Sequence, residues 1–378
     1  MSLKSLARIL IAAVILLMII GSALVLSASS TYSALKFHNN FYHMFLSHLV
    51  KVLIAFGALI LFSVVPYDLY KKFSKKAVIL IAGLLFVTFV MATAVKGAAR
   101  WLNFGLFTMQ PSEIAKLFLM IHVAYLIENK KTELSDYQKG FLYPVFWILA
   151  IAGLVFVQPN VSTSIIITTA AFSVLFIGGA KLKHIILTLG VAGSAAAVFA
   201  MIFRHSRERI LTFVHSLGHK GGEINLQVTQ AKIALGSGGI FGIGLGQSRQ
   251  SDLFLPESYG DFIFSVLGEE LGFFGAIAVL LLYIVIFLIG VLIAKKAKDQ
   301  YGQLLAFGLS FMIILSAFIN AAVVTGLFPT TGIPLPFISY GGTSIILMCA
   351  SAGILVNIAL SAHKVQEIKL KDARETGK

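Results

Sequence analysis

Acid is what this chain has least of. Sixteen Asp and Glu stand against 30 Lys and Arg in 378 residues, and charged side chains total 12%. An ordinary soluble domain carries about 25%, so that class is excluded. Cysteine is nearly absent too. Cys349 stands alone, which rules out an intrachain disulfide, and its place inside the last apolar run reads as a packing residue between helices. There is no internal repeat, and no low-complexity tract beyond one glycine run. The first apolar run follows Lys4 and Arg8 but has no convincing small-residue cleavage site, so it reads as a retained helix. The net charge of +14 is split among separate clusters with no compact basic face, which argues against nucleic-acid binding.

What the chain does have is apolar length. Hydrophobic residues make up 58%, and the mean hydropathy is +0.92. A bilayer-crossing helix needs about 20 apolar residues. About ten such runs are present, at 7–27, 45–65, 77–95, 111–127, 141–157, 160–178, 183–203, 261–294, 302–325 and 337–361. Basic residues gather in alternate connections: Lys71, Lys72, Lys75 and Lys76, then Lys130, Lys131 and Lys139, then Lys181 and Lys183, then Lys295, Lys296 and Lys298, and last Lys364 to Lys378. The short connections between them hold little beyond Lys36, Lys96 and Arg100. Positive charge marks the cytoplasmic side, so both termini are read as cytoplasmic. The basic collar then faces anionic membrane lipid. The expected fold is all-α: one polytopic membrane domain over 1–378, with a cytoplasmic tail at 362–378.

One connection departs from this economy. Between the seventh and eighth runs, residues 204–260 form a large extracytoplasmic loop, the natural place for an outer-face site. It opens on the cluster Arg204-His-Ser-Arg-Glu-Arg209. Helical apolar spacing follows from Ile224 to Leu235, then the glycine run Gly236–Gln247. The eighth run, 261–294, would span roughly 50 Å as an unbroken helix, against a hydrocarbon core of about 30 Å. It must tilt, protrude or break, and Gly272 and Gly275 are the expected places for a break.

Few residues remain for outward-facing acid–base work. Asp261 stands where the loop turns into that helix, and an ionisable group at the membrane edge requires a reason. Two readings compete: a general base, or a helix N-cap, which Asp favours. Glu269 lies two turns deeper on roughly the same face, whereas Glu270 points the other way. A buried acid must be satisfied, so Glu269 is expected to meet a basic partner or backbone donors in a structural role.

Gln110-Pro-Ser-Glu-Ile-Ala-Lys116 is a good helix start. Glu113 and Lys116 either pair on one face or set Lys116 in a cavity to hold an anion, with Arg100-Trp101 as a second cation beside an aromatic at interface depth. The glycine run is either a backbone nest for phosphate or a site of close packing; it is neither a P-loop nor a dinucleotide fingerprint. His205, His215 and His219 are read as exposed loop histidines before a metal site. Thr331-Gly-Ile-Pro-Leu-Pro-Phe-Ile-Ser-Tyr-Gly-Gly-Thr-Ser344 implies irregular backbone at membrane depth, tolerated only where it is buried or lines a cavity.

Taken together, five blocks in register resemble the SEDS family (shape, elongation, division and sporulation: FtsW, RodA, SpoVE). They are Arg100-Trp101, Gln110–Lys116, Ala234–Ser248, Leu255-Pro-Glu257 with Asp261–Phe264 and Glu269–Gly272, and Leu335–Gly342. The glycine segment and Phe328–Pro334 resemble the division and sporulation branch more than the elongation branch. Ser258-Tyr-Gly260 departs from the usual pattern just before the acid.

The resemblance implies a peptidoglycan glycosyltransferase in the cytoplasmic membrane of a bacterium. It would polymerise lipid II on the outer face with a class B penicillin-binding transpeptidase and other divisome membrane proteins. It implies Asp261 as the essential acid, with Arg100, Glu113 and Lys116 near the cavity. Trp101, Glu257, Ser339 and Tyr340, inside the matching blocks, become candidate substrate contacts. In that scheme Asp261 is general base, a role worth typically 10²–10⁴-fold. Arg100, Lys116, Arg204, Arg207 and Arg249 are candidates to steady the leaving diphosphate. One base and a direct displacement invert the anomeric centre. No cofactor is fixed by the sequence; a divalent cation bridging diphosphate and Asp261 stays open as an addition, although no ligand set for it is visible. A flippase or transporter of lipid II, an elongation polymerase and a non-catalytic division scaffold are the competing readings.

Overall fold

A computed structural model describes residues 1–94, 101–103, 108–129, 133–158, 160–202, 207–208, 211–213, 226–250, 255 and 258–375. Ten of its helices follow the ten apolar runs. They are α1 (Leu3–Lys36), α2 (His43–Val64), α3 (Asp68–Ala94), α4 (Pro111–Asn129), α5 (Leu142–Val157), α6 (Val161–Ile177), α7 (Leu182–Ile202), α9 (Ile263–Lys296), α10 (Gln300–Val324) and α11 (Thr343–Glu375). A shorter helix, α8 (Leu226–Ser237), lies in the large loop, close to the helical spacing read there. Two short strands, β1 (Leu102–Asn103) and β2 (Thr108–Met109), pair antiparallel with Leu102 opposite Met109. Among the described residues eight helices are long and apolar enough to cross a membrane; α6, at 17 residues, is a shorter apolar one.

Helix bounds differ from the apolar runs where polar side chains find partners inside the protein. α1 continues nine residues past Ser27 to Lys36, although Ser27–Ser33 is rich in hydroxyls. Ser29 and Ser33 are buried, and the Ser33 hydroxyl donates to Asn40 O at 2.6 Å. The Ser27 hydroxyl donates to Glu270. A hydropathy reading ends where hydroxyls begin; the helix does not, because the hydroxyls of Ser27, Ser30 and Ser33 find acceptors inside the protein. At the other end, α11 starts at Thr343, six residues later than the apolar run. It then runs on as helix through the tail to Glu375, which was read only as a cytoplasmic extension. Lys4 pairs with Glu367 across the exposed end at 3.4 Å.

The charged contacts sort the connections into two ends. Lys71 meets Glu128 at 2.9 Å and Asp299 at 3.3 Å, Lys298 meets Asp68 at 2.5 Å, and Lys296 donates to Met1 O at 2.9 Å. These residues gather both termini and the α2–α3, α4–α5 and α9–α10 connections at one end, the end the basic residues mark as cytoplasmic. At the opposite end lie β1–β2, the segment before α9 and the segment before α11. α11, the most buried of the spanning helices, passes up the middle.

The long helix α9 does break, at Gly272 (φ 70°, ψ −169°). Backbone groups freed in a membrane helix must be re-satisfied by protein, and the glycine run supplies this. Ile243 N and Gly244 N donate to the carbonyls of Glu269 and Glu270 (3.0 and 3.1 Å), while Phe273 N and Phe274 N donate back to Gly239 O and Ile240 O (2.9 and 3.3 Å). The approach is too close for side chains: a Cβ on Gly242 would lie 2.1 Å from Glu270 O, at φ +82°. Of the two readings of the glycine run, close packing is the one realised. Gly242→Ala combines left-handed strain of about 1–2 kcal/mol with overpacking of about 1–3 kcal/mol. It should lower the thermal midpoint of the detergent-solubilised protein measurably; an unchanged midpoint would show that the loop can move aside.

Candidate active site

The segment 258–261 is held residue by residue, at 258 through a side chain and at 259–261 through backbone carbonyls. Ser258 donates its hydroxyl to Ala28 O of α1 at 3.3 Å. Tyr259 O accepts from Tyr340 N at 2.9 Å, and Gly260 O accepts from the Ser339 hydroxyl at 2.8 Å. Asp261 O accepts from Asn320 Nδ2 at 2.7 Å. The same amide donates to Ile333 O at 2.7 Å, so Asn320 of α10 clamps together the two irregular segments that precede α9 and α11.

The second of these segments is irregular, as Pro334 and Pro336 require. Phe337 sits at φ 64°, and the Tyr283 hydroxyl donates to Pro336 O. Ser339 accepts from Leu335 N at 2.7 Å. Gly332, at φ +73°, presents a bare backbone to Asp261, whose Oδ2 lies 3.3 Å from where a Cβ would be. Asp261 is half-buried. Helix α9 begins at Ile263 with Phe262 at the cap position, so Asp261 stands one residue before the position that the N-cap reading gave it.

The two glutamates deeper in α9 are structural, as expected for Glu269. It accepts from the hydroxyls of Ser248 (2.5 Å) and Ser237 (3.3 Å) and from Arg249 N (3.2 Å). Glu270 accepts from Ser27 and from Gly246 N, the latter at 3.1 Å. Backbone and hydroxyl donors thus do the work that a basic side chain was the alternative for.

Glu113 and Lys116 form an ion pair at 2.7 Å, each only 2% exposed. The pairing reading is the one this geometry realises: Lys116 is closed on Glu113. Next to them Asn160 Nδ2 donates to Ser112 at 3.1 Å.

Trp101 is 46% exposed, just before β1. Arg207 and Arg249 are exposed; the backbone N of Arg249 donates to Glu269. Arg100, Arg204, Glu257 and the histidines 205, 215 and 219 lie outside the described residues. Among the described residues no group of three His, Cys, Asp or Glu assembles that could hold a metal ion; Asp252 and Glu257, the acids before Asp261 in the loop, lie outside them.

Tyr259, the centre of the sequence departure, is built into the site. Its ring meets Tyr32 at 5.5 Å and Tyr340 edge-to-face at 5.5 Å. Beside this aromatic group a cavity of about 640 Å³ opens between α2, β2, α4 and the start of α11, lined by Ser47, Lys51, Thr108, Met109, Gly342 and Thr343 among others. The Thr343 hydroxyl joins the cavity wall to the start of α4, accepting from Gln110 N at 3.2 Å and donating to Thr108 O at 3.3 Å. Two site residues escaped the sequence reading, Asn320 and Lys51. Lys51 is the only Lys, Arg, Asp or Glu in its apolar run and Asn320 is an amide deep in another, each of which is itself a signal.

Relatives match over most of this chain's length. A probable peptidoglycan glycosyltransferase FtsW from Pseudomonas fluorescens is 36% identical over 344 residues, covering 90% of this chain and 84% of the relative. Stage V sporulation protein E of Bacillus subtilis is 33% identical over 357 residues, covering 93% and 96%. Among solved structures, a chain of a peptidoglycan synthase complex that coordinates polymerization and crosslinking superposes with a TM-score of 0.73 at 21% identity, covering 95% of this chain and 98% of that one. The rod shape determining protein RodA of Thermus thermophilus superposes at 0.67, again at 21% identity, covering 93% and 96%. Those two show the fold. Residues 7–364 match the cell cycle protein family FtsW/RodA/SpoVE, and the chain belongs to that family.

Proposed function

We propose that this multi-pass protein of the bacterial cytoplasmic membrane is a peptidoglycan glycosyltransferase that polymerises lipid II at the outer face, in septal wall synthesis. The observation that carries the reading is Asp261: a half-buried residue beside a bare glycine, on backbone pinned at three successive carbonyls, at the outer end of a membrane bundle. The septal assignment rests on the relatives named FtsW at 33–36% identity.

In the proposed reaction a sugar hydroxyl of one lipid-linked disaccharide attacks the anomeric carbon of another. Its proton passes to Asp261, the new glycosidic C–O bond forms, and the C–O bond to the polyprenyl diphosphate breaks. A rigid backbone under the base keeps the carboxylate at the reacting distance, which is where positioning contributes most. With one carboxylate acting as base and none as nucleophile, the anomeric centre inverts. A class B penicillin-binding transpeptidase is the proposed partner, by likeness to the complex that couples polymerization with crosslinking.

The test is purified lipid II supplied to this protein with its transpeptidase partner, the latter blocked at its active site. Glycan chains on a gel support the reading. Lipid II crossing vesicle membranes with no chains formed would replace it with a transporter.

A further inference from the structure

Lys51 has no task in the reaction as described. It stands on α2 eight residues inside His43, about 12 Å below that helix's outer end. A lysine at such depth is costly unless it is paired or works on a ligand. Among the described residues no carboxylate lies within 4 Å of its ammonium. Its neighbour is instead the face of Tyr340, with Nζ 3.9 Å from the ring centroid. The Tyr340 hydroxyl is steadied by Ser47 at 3.3 Å.

An aromatic face holds an ammonium in place without neutralising it. The charge therefore stays available to the cavity that Lys51 lines. Lys116 offers a contrast, since its charge is closed by Glu113. Tyr340 also ties Lys51 to the catalytic segment, because its N–H donates to Tyr259 O two residues before Asp261.

The cavity has the volume of a ligand site and two kinds of wall. One holds Lys51 and the hydroxyls of Ser47 and Thr343; the other holds Val50 and Ile54, which are 56% and 54% exposed on the membrane-facing side of α2. The first turn of α11, whose dipole favours an anion, faces the same space. A molecule that fits both walls carries an anionic head and a long apolar tail.

We propose that Lys51 binds the diphosphate of the polyprenyl-linked substrate, with the polyprenyl chain leaving past Val50 and Ile54 into the hydrocarbon. This deepens the glycosyltransferase reading and rests on it. Lys51 acts here as a binding residue for substrate and leaving group; the proton transfer stays with Asp261.

The test uses the full chain with its partner in detergent and farnesyl diphosphate as probe, against farnesol and phosphatidylglycerol. Loss of a charge-assisted contact predicts that Lys51→Met weakens farnesyl diphosphate binding about tenfold, and that Lys51→Arg restores it to within about threefold. In polymerisation Lys51→Met should raise KM for lipid II about tenfold and change kcat less than about twofold, as removal of a contact made equally in ground and transition states does. Should Lys51→Met melt early, Lys51→Gln serves in its place. Farnesol should not compete, and phosphatidylglycerol should compete only weakly. Equal diphosphate binding by the folded variants and wild type would overturn the proposal. So would phosphatidylglycerol binding as tightly with the same dependence on Lys51, which would make this a general lipid-headgroup site. Binding is read without turnover. A wild type that binds the diphosphate yet makes no glycan would overturn the polymerase reading alone.

Discussion

Asp261→Asn is expected to cut lipid II polymerisation by about 10²–10⁴-fold, the usual worth of a positioned general base. The protein should stay folded while this happens. The segment is anchored through its backbone carbonyls: Tyr340 N to Tyr259 O, Ser339 to Gly260 O, Asn320 to Asp261 O. Asparagine keeps the shape of the side chain and removes only its charge and its capacity to take a proton. Asp261→Glu keeps both, but moves the carboxylate by one methylene against the fixed backbone of Gly332. A misplacement of about 1 Å can cost 10²-fold, so this variant should also be crippled. Chains are read on a gel, with the thermal midpoint of each variant as the folding control. A folded Asp261→Asn protein polymerising within about threefold of wild type would show that another group takes the proton. The same result in vivo would favour the scaffold reading.

The sequence was most legible where the membrane leaves no choice. Backbone in hydrocarbon must bond to itself, so ten apolar runs became ten helices, and alternate basic clusters gathered at one end. The break in α9 was legible for a related reason: a helix too long for the bilayer that contains glycine will use it, and Gly272 is used. The seat of Asp261 was only half legible. Local pattern placed it at the helix entry but one residue too close to the cap, because Phe262 occupies that position. The partners that build the site lie far away in sequence: Asn320 is 59 residues from Asp261 and Ser339 is 79 from Gly260. Spacing rules reach three or four residues along a helix and cannot report such pairs. For that reason Glu113–Lys116, an i,i+3 pair, could be read directly, whereas Lys51 against Tyr340 could not.

That local pair gives the second large effect. Lys116→Met should destabilise the protein by about 3–5 kcal/mol, the cost of stranding one member of a buried ion pair. Glu113 would keep its charge with its cation gone. Its Oε2 has no hydrogen-bond partner among the described residues even in the intact pair. Methionine fills nearly the same volume, so little of the loss would come from packing. The ion pair carries its own control. In Glu113→Gln/Lys116→Met neither buried charge remains, and replacing both members of such a pair by neutral groups is often close to neutral. The double variant should therefore recover most of the lost stability, a coupling that two independent sites would not show. Thermal denaturation in detergent reads all four proteins. If Lys116→Met instead melts with wild type while polymerisation collapses, the ammonium is spent on substrate and not on Glu113. The closed geometry of the pair would then have to open during turnover, returning Lys116 to the anion-holding role that its 2.7 Å contact with Glu113 now argues against.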